Sequence, residues 1–215
     1  MQIQSITPDR AFPFAEPEIT AAFITVPGLD NSGPRHWQTH WERIAHCDRA
    51  ELGGWDRPEL HLWVAALDRA IRENPRPVVL VAHSLGCLAA AWWARLHWSE
   101  AFREKLRGAL LVAPPDVDSL SANPRIRDFR PLPLYELPFR SILVASRDDP
   151  HAGFDSSRLM AAAWGSELVD LGRCGHINAD SGIDEWPRGI RLAASLSGHN
   201  PNMLVAELSL RAALA

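Results

Sequence analysis

Val78-Val79-Leu80-Val81-Ala82-His83-Ser84-Leu85-Gly86 opens on an unbroken aliphatic run. Such a run is what a parallel strand shows when helices cover both of its faces. It leads straight into a serine, and residues 85–96 continue with helical character, so Ser84 falls on a strand-to-helix turn. A sharp turn of this kind raises the serine hydroxyl to the edge of the sheet. It also demands small residues two positions either side, because bulkier side chains would strike the neighbouring strand and helix. Gly86 meets the demand, and Ala82 stands one methyl group away from the usual first glycine. The turn aims the Leu85 amide at an incoming carbonyl oxygen. A serine that merely caps a helix is common after a strand, so the motif needs partners before it implies chemistry.

Outward from this segment, the pattern alternates. Residues 21–26 predict a first buried strand ending at Pro27-Gly28. Residues 34–45 predict a helix with Trp37, Trp41 and Ile44 on one stripe and Pro34 in its first turn. A weak strand is expected at 49–52, then a helix over 58–73 with Leu60, Val64, Leu67 and Ile71 on one face, stopped by Pro75 and Pro77. Residues 108–113, 140–146 and 167–171 read as short aliphatic strands, and 156–164 and 184–196 as helices. Strands alternating with helices predict an α/β protein, a mostly parallel central sheet with helices on both faces. Sites in such sheets lie at the carboxyl ends of the strands. Residues 114–138 break the alternation with six prolines and no clear period, and are expected to form a short cap over the site. Residues 1–20 read as an extended arm, 21–198 as one domain, and 199–215 as a helical tail.

The bulk properties narrow the function classes. A chain of 215 residues suits one sizeable core. A net charge of −4 and a pI near 6.1 give no general attraction for phosphate backbones or anionic lipids, so nucleic acid is not an expected partner. No apolar run approaches the roughly 20 residues that span a bilayer, and no membrane association is expected. The odd set Cys47, Cys87 and Cys174 suggests reduced thiols and a cytoplasmic setting. Asp9, Glu16, Glu18 and three prolines occupy the first twenty residues with no apolar h-region, unlike a signal peptide.

A hydroxyl is a weak nucleophile until a base takes its proton. His176, in Cys174-Gly175-His176 beyond the strand expected to end at Leu171, is placed to be that base. His151 is the rival, but it belongs to an earlier loop, on the other side of the following helix. A carboxylate must fix the tautomer of the histidine and stabilise its charged form. Ser146-Arg147-Asp148-Asp149-Pro150 follows a strand and offers two candidates, each with a plainer alternative as a cap of the next helix or a partner of Arg147. A second oxyanion donor is expected in Val26-Pro27-Gly28-Leu29-Asp30, where Gly28 permits close backbone approach and the Leu29 amide is nominated. Asp30 and Asn31 are expected to shape the pocket.

Together, Pro27-Gly28-Leu29 with Ser32-Gly33, His36-Trp37-Gln38 and Trp41, then His83-Ser84-Leu85-Gly86-Cys87, Asp148-Asp149-Pro150, and Gly175-His176-Ile177-Asn178-Ala179 with Ser181-Gly182, resemble the small serine hydrolases typified by retinoblastoma-binding protein 9 and its bacterial relatives. The likeness runs from about residue 21 to 196. It implies an α/β-hydrolase fold without a large cap and a Ser-His-Asp triad whose acid directly precedes a proline, which favours Asp149 over Asp148. The first loop departs from the vertebrate member, where it is richer in glycine. The expected activity is hydrolysis of an ester or related acyl bond of a small substrate through an acyl-enzyme. Ser84 is the nucleophile, His176 the base, and the Leu29 and Leu85 amides hold the oxyanion. Gly28, Asp30, Asn31, His36, Trp37, His83 and Asn178 are expected around the substrate, and no metal or organic cofactor is required. The rival reading is a catalytically silent protein that uses this fold to bind a partner.

Other signals have plainer readings. His36 and His40 are spaced as a metal-binding pair, but neither the glutamate nor a third ligand follows. Tryptophans 37, 41, 63, 92 and 93 fall on helices that must pack on a sheet, and read as core. Arg125, Arg127 and Arg130 in the cap read as a solvated basic loop rather than a receptor for an acidic group. Cys87 reads as a small packing residue.

Overall fold

The computed structural model describes residues 21–44 and 46–213; the arm expected at 1–20 lies outside them. Six strands, β1 (Ala22–Val26), β2 (Cys47–Arg49), β3 (Val78–His83), β4 (Leu106–Val112), β5 (Ser141–Ala145) and β6 (Glu167–Asp170), form one sheet in the order β2-β1-β3-β4-β5-β6. Every pairing is parallel. The helices are α1 (Trp37–Trp41), α2 (Leu60–Glu73), α3 (Leu85–His97), α4 (Phe154–Trp164), α5 (Pro187–Ser197) and α6 (Pro201–Ala213).

Alternation along β3 explains its aliphatic run. Val78, Leu80 and Ala82 enter one core with Trp63, Leu67 and Ile71 of α2, Trp93 of α3 and Trp164 of α4. Val79 and Val81 enter the opposite core with Trp37 and Trp41 of α1 and Ile190 and Ala193 of α5. With both faces buried, residues 78–82 are all apolar, and the strand's one polar side chain, His83, stands at its carboxyl end. This doubly covered parallel sheet agrees with the α/β-hydrolase fold that the resemblance implies.

Two elements differ from the sequence pattern. The helix expected over 34–45 is confined to Trp37–Trp41, because His36 is the N-cap and the chain leaves the helix at Glu42. The edge strand expected at 49–52 lies at Cys47–Arg49, in register with Phe23–Thr25 of β1. The tail is helical over Pro201–Ala213, packs on α5 and buries Leu204. Among the described residues no helix is long and apolar enough to cross a membrane.

From β1 the chain steps to β2 on one side and then crosses to β3 on the other. The carboxyl ends of β1 and β3 therefore flank the point where the winding reverses, and a crevice opens there.

Candidate active site

At the end of β3, Ser84 adopts φ 53°, a conformation disfavoured for a residue with a side chain. Its amide donates to the Val112 carbonyl at 2.9 Å, which pins the turn to β4. Gly86 is required sterically: a Cβ there would overlap the carbonyl oxygens of Val26 and Pro27. Ala82, fully buried, is tolerated at the other small position. The Ser84 hydroxyl lies 2.9 Å from His176 Nε2, and His176 Nδ1 lies 2.9 Å from both carboxylate oxygens of Asp149. A carboxylate only accepts, so Nδ1 carries the ring proton and Nε2 is the acceptor for the hydroxyl. The Asp149 side chain is 3% exposed, which keeps its charge unshielded against the imidazole.

The two adjacent aspartates separate by their partners. Asp148 accepts from the Ser146 hydroxyl at 2.8 Å and from the Gly175 amide at 2.9 Å and pairs with Arg173 at 3.6 Å, whereas the His176 ring is hydrogen-bonded by Asp149. The Gly175 amide, then the Ser146 hydroxyl, hold its carboxyl below the usual carboxylate range. It ties the loop after β5 to the loop bearing the histidine.

That loop is pinned from beneath. Trp37 Nε1 donates to the Ile177 carbonyl at 2.8 Å, and His83 Nε2 lies 3.0 Å from the His176 carbonyl. Trp37, expected beside the substrate, is instead 1% exposed and does not line the cavity. Its indole edge meets Trp41 and Trp186 inside the core, so its contribution is to seat His176.

A cavity of about 410 Å³ opens over Ser84. Leu29, Asp30, Asn31, His36, His83 and Leu85 line one part of it, and His176 and Asn178 another. Gly28 packs on the turn at Ser84: a Cβ there would lie 2.8 Å from the Ser84 Cβ and 3.1 Å from the Leu85 nitrogen. The Leu85 amide is the first of α3, among those a helix leaves without an internal acceptor. Asn178 spends its side-chain oxygen on the Asp180 amide, capping a short 3-10 turn. From the segment expected as a cap, Pro115, Asn123, Arg125 and Ile126 reach the cavity. Arg125 is not free there: it forms a bidentate pair with Asp30, both bonds 2.7 Å.

The sequence pattern missed His151 as a wall of the site. Its ring meets His176 edge-on with centroids 4.4 Å apart, because the short loop before α4 brings it against the histidine. Two further imidazoles stand behind the turn. His36 and His83 have ring centroids 4.7 Å apart, and His83 is 4.9 Å from His176. Burial, and then the charge of nearby His176 and Arg49, pushes His36 down to about 4. Burial holds His83 well below its ordinary value. Both are therefore neutral at pH 7. His36 accepts from the Gln38 amide at 3.2 Å as the α1 cap. Among the described residues no three His, Cys, Asp or Glu side chains stand close enough to hold a metal. Cys87 is buried, its thiol pushed far up by burial, and acts as packing.

A serine hydrolase family model matches residues 23–195. A YdeN-like hydrolase from Pectobacterium atrosepticum is 33% identical, superimposes with a TM-score of 0.71, and the match covers 86% of this chain and 92% of that one. The ydeN product of B. subtilis is 22% identical with a TM-score of 0.66, over 82% of this chain and 98% of that one. Esterase 2 of Thermogutta terrifontis is 18% identical with a TM-score of 0.60, over 81% of each chain. At those two identities the likeness concerns the fold alone. No curated protein matches the chain. With its family match spanning most of the length and an α/β-hydrolase sheet beneath it, the chain belongs to the serine hydrolase family.

Proposed function

We propose that the protein hydrolyses an ester, or a related acyl bond, of a small substrate, with Ser84 as nucleophile, His176 as general base and Asp149 as the group that orients and stabilises His176. The observation that carries this reading is the unbroken relay from Ser84 through His176 to Asp149, each link 2.9 Å, opening on the cavity. The Ser84 oxygen attacks the carbonyl carbon as its proton passes to His176 Nε2. The tetrahedral oxyanion is held by the Leu85 and Leu29 amides. His176 returns the proton to the departing alcohol, leaving an acyl group on Ser84. Water then adds by the same route, giving its proton to His176. Collapse of the second intermediate releases the acid and restores the hydroxyl.

The neutral state of His36 and His83 supports the assignment of the base. A second cation behind His176 would oppose the imidazolium that forms during attack. The cavity's size supports a compact substrate, and its mixed lining supports one with polar groups beyond the scissile bond.

A fluorophosphonate probe tests the nucleophile. It is expected to label the wild-type protein and to spare Ser84→Ala at equal loading. Undiminished labelling of the folded variant removes Ser84 from the mechanism.

A further inference from the structure

The loop between β1 and α1 carries Asp30 at φ 62° and Asn31 at φ 63°, two successive side-chain-bearing residues in the left-handed region. Such a pair is not self-supporting. Asp30 is held by Arg125 at the cavity, whereas Asn31 is braced by a residue outside it. Arg49, the last residue of β2, spends all five of its guanidinium N–H groups locally. Nη1 donates to Asn31 Oδ1 at 2.9 Å and to the Ser32 carbonyl at 3.1 Å. Nη2 donates to Thr39 Oγ1 at 2.7 Å and Glu42 Oε2 at 2.9 Å, and Nε to Glu42 Oε1 at 2.8 Å. The Arg49 side chain is only 16% exposed.

The braced loop is also wired to the nucleophile strand. Ser32 Oγ donates to Gln38 Oε1 at 2.6 Å, and Gln38 Nε2 donates to the Val81 carbonyl of β3 at 2.8 Å, three residues before Ser84. Ser32 and Gln38 are both buried. The loop carrying the Leu29 amide and the strand carrying Ser84 are thereby held in one frame, with Arg49 fixing the loop's far side.

We infer that Arg49 is a positioning residue for the oxyanion site: it holds the loop of residues 28–32 so that the Leu29 amide meets the tetrahedral intermediate, without touching substrate itself. This rests on the ester-hydrolase reading above. Five fixed donors in a planar fork are particular to arginine; an ammonium supplies three on a flexible stem. Hence Arg49→Lys keeps the charge facing Glu42 but releases part of the loop.

The test uses p-nitrophenyl acetate turnover, and inhibition by a trifluoromethyl ketone whose serine adduct places an oxyanion in the same position. In Arg49→Lys, kcat is expected to fall about tenfold or more with KM within about twofold, and the inhibition constant to rise by a similar factor. Thr39→Val removes one brace from both Arg49 and the Ser32 carbonyl. It is expected to give a smaller, parallel change, and decides the matter alone if Arg49→Lys does not fold. A folded variant with wild-type kcat overturns the inference, as does a fall in kcat with unchanged inhibitor affinity. Wild type and Ser84→Ala run alongside: an inactive wild type would end the hydrolase reading, whereas active variants would end only the role of Arg49.

Discussion

Gly28→Ala isolates the oxyanion loop from the rest of the site. Gly28 does not adopt a positive φ, so alanine meets no conflict in its own conformation. The obstacle is external. The new Cβ would lie 2.8 Å from Ser84 Cβ and 3.1 Å from both the His83 carbonyl oxygen and the Leu85 nitrogen. Carbon atoms settle at about 3.5 Å or more, so the loop must withdraw by about 0.7 Å. The turn at Ser84 cannot yield, being fixed by the hydrogen bond its amide donates to the Val112 carbonyl and by the contact of Gly86 with the carbonyls at the end of β1. A Leu29 amide set about 2.9 Å from the oxyanion would then stand near 3.6 Å, beyond a hydrogen bond. Loss of one oxyanion donor costs about 3–4 kcal/mol at the transition state, or about 10²–10³-fold in kcat. With p-nitrophenyl acetate the expected result is that fall in kcat, KM within about twofold, and an unchanged far-ultraviolet spectrum. A folded Gly28→Ala protein with kcat within about threefold of wild type would show that an oxyanion donor displaced this far is not in use, and would remove Leu29 from the mechanism.

Two further perturbations separate neighbouring groups. Asp149→Asn is expected to lower kcat by about 10⁴-fold, since the amide favours the wrong imidazole tautomer, whereas Asp148→Asn keeps an oxygen for the Gly175 amide and should turn over near the wild-type rate; steady-state kinetics on both variants checks the pair, and equal losses would contradict the assignment. For stability against pH, His36 has a folded value of about 4 against 6.5 for the free side chain. Between those values the unfolded chain binds a proton the folded chain refuses, so stability is intact above about pH 6.5 and falls as pH drops. The slope is about 1.4 kcal/mol per unit, accumulating to about 3 kcal/mol near pH 4. His36→Asn retains an oxygen for the Gln38 amide and should flatten the slope by one proton's share, with His83 still contributing its own; urea unfolding at pH 7.0, 5.5 and 4.5 measures this, and an unchanged slope would refute it.

How far the sequence reached depended on whether the decisive interaction is local. The strand, turn and helix around Ser84 are local: an aliphatic run, small residues at 82 and 86, and a following helical period suffice. The histidine loop was legible from its place after a strand. Asp148 and Asp149 are adjacent and chemically identical, so only tertiary hydrogen bonds, Gly175 to one and His176 to the other, distinguish them. The resemblance favoured Asp149; spacing alone did not. Trp37 shows a different limit. Its helical stripe marked it as core, its neighbours in the motif marked it as pocket, and the indole N–H satisfied by Ile177 explains why a buried residue sits inside a functional motif. The sequence places His151 before the following helix and apart from His176, yet the loop before α4 doubles back and brings it against that ring. Arg49 carried no motif at all, because its significance lies in five acceptors spread from residue 31 to residue 42.

The distribution of backbone strain argues that this site is rigid before substrate arrives. Asp30 and Asn31 after β1, Ser84 after β3, Ala113 after β4 and Ile177 in the histidine loop all have positive φ without being glycine. Each such residue costs on the order of 1 kcal/mol, so the set would relax unless its surroundings over-determined it. Asp30 is held by the Arg125 side chain, and the other four are held by the frame around them: Arg49 at Asn31, the Val112 carbonyl at the Ser84 amide, the Val144 carbonyl at the Ala113 amide, and the Trp37 indole at the Ile177 carbonyl. Three of these clamps issue from the sheet itself, from β2, β4 and β5, and the fourth from a helix packed on it. These five residues border the proposed site, and four of them are restrained from in or against the buried sheet, so loosening one of those restraints should misplace a donor or base before it unfolds the domain. Rate, rather than stability, is then the first property lost.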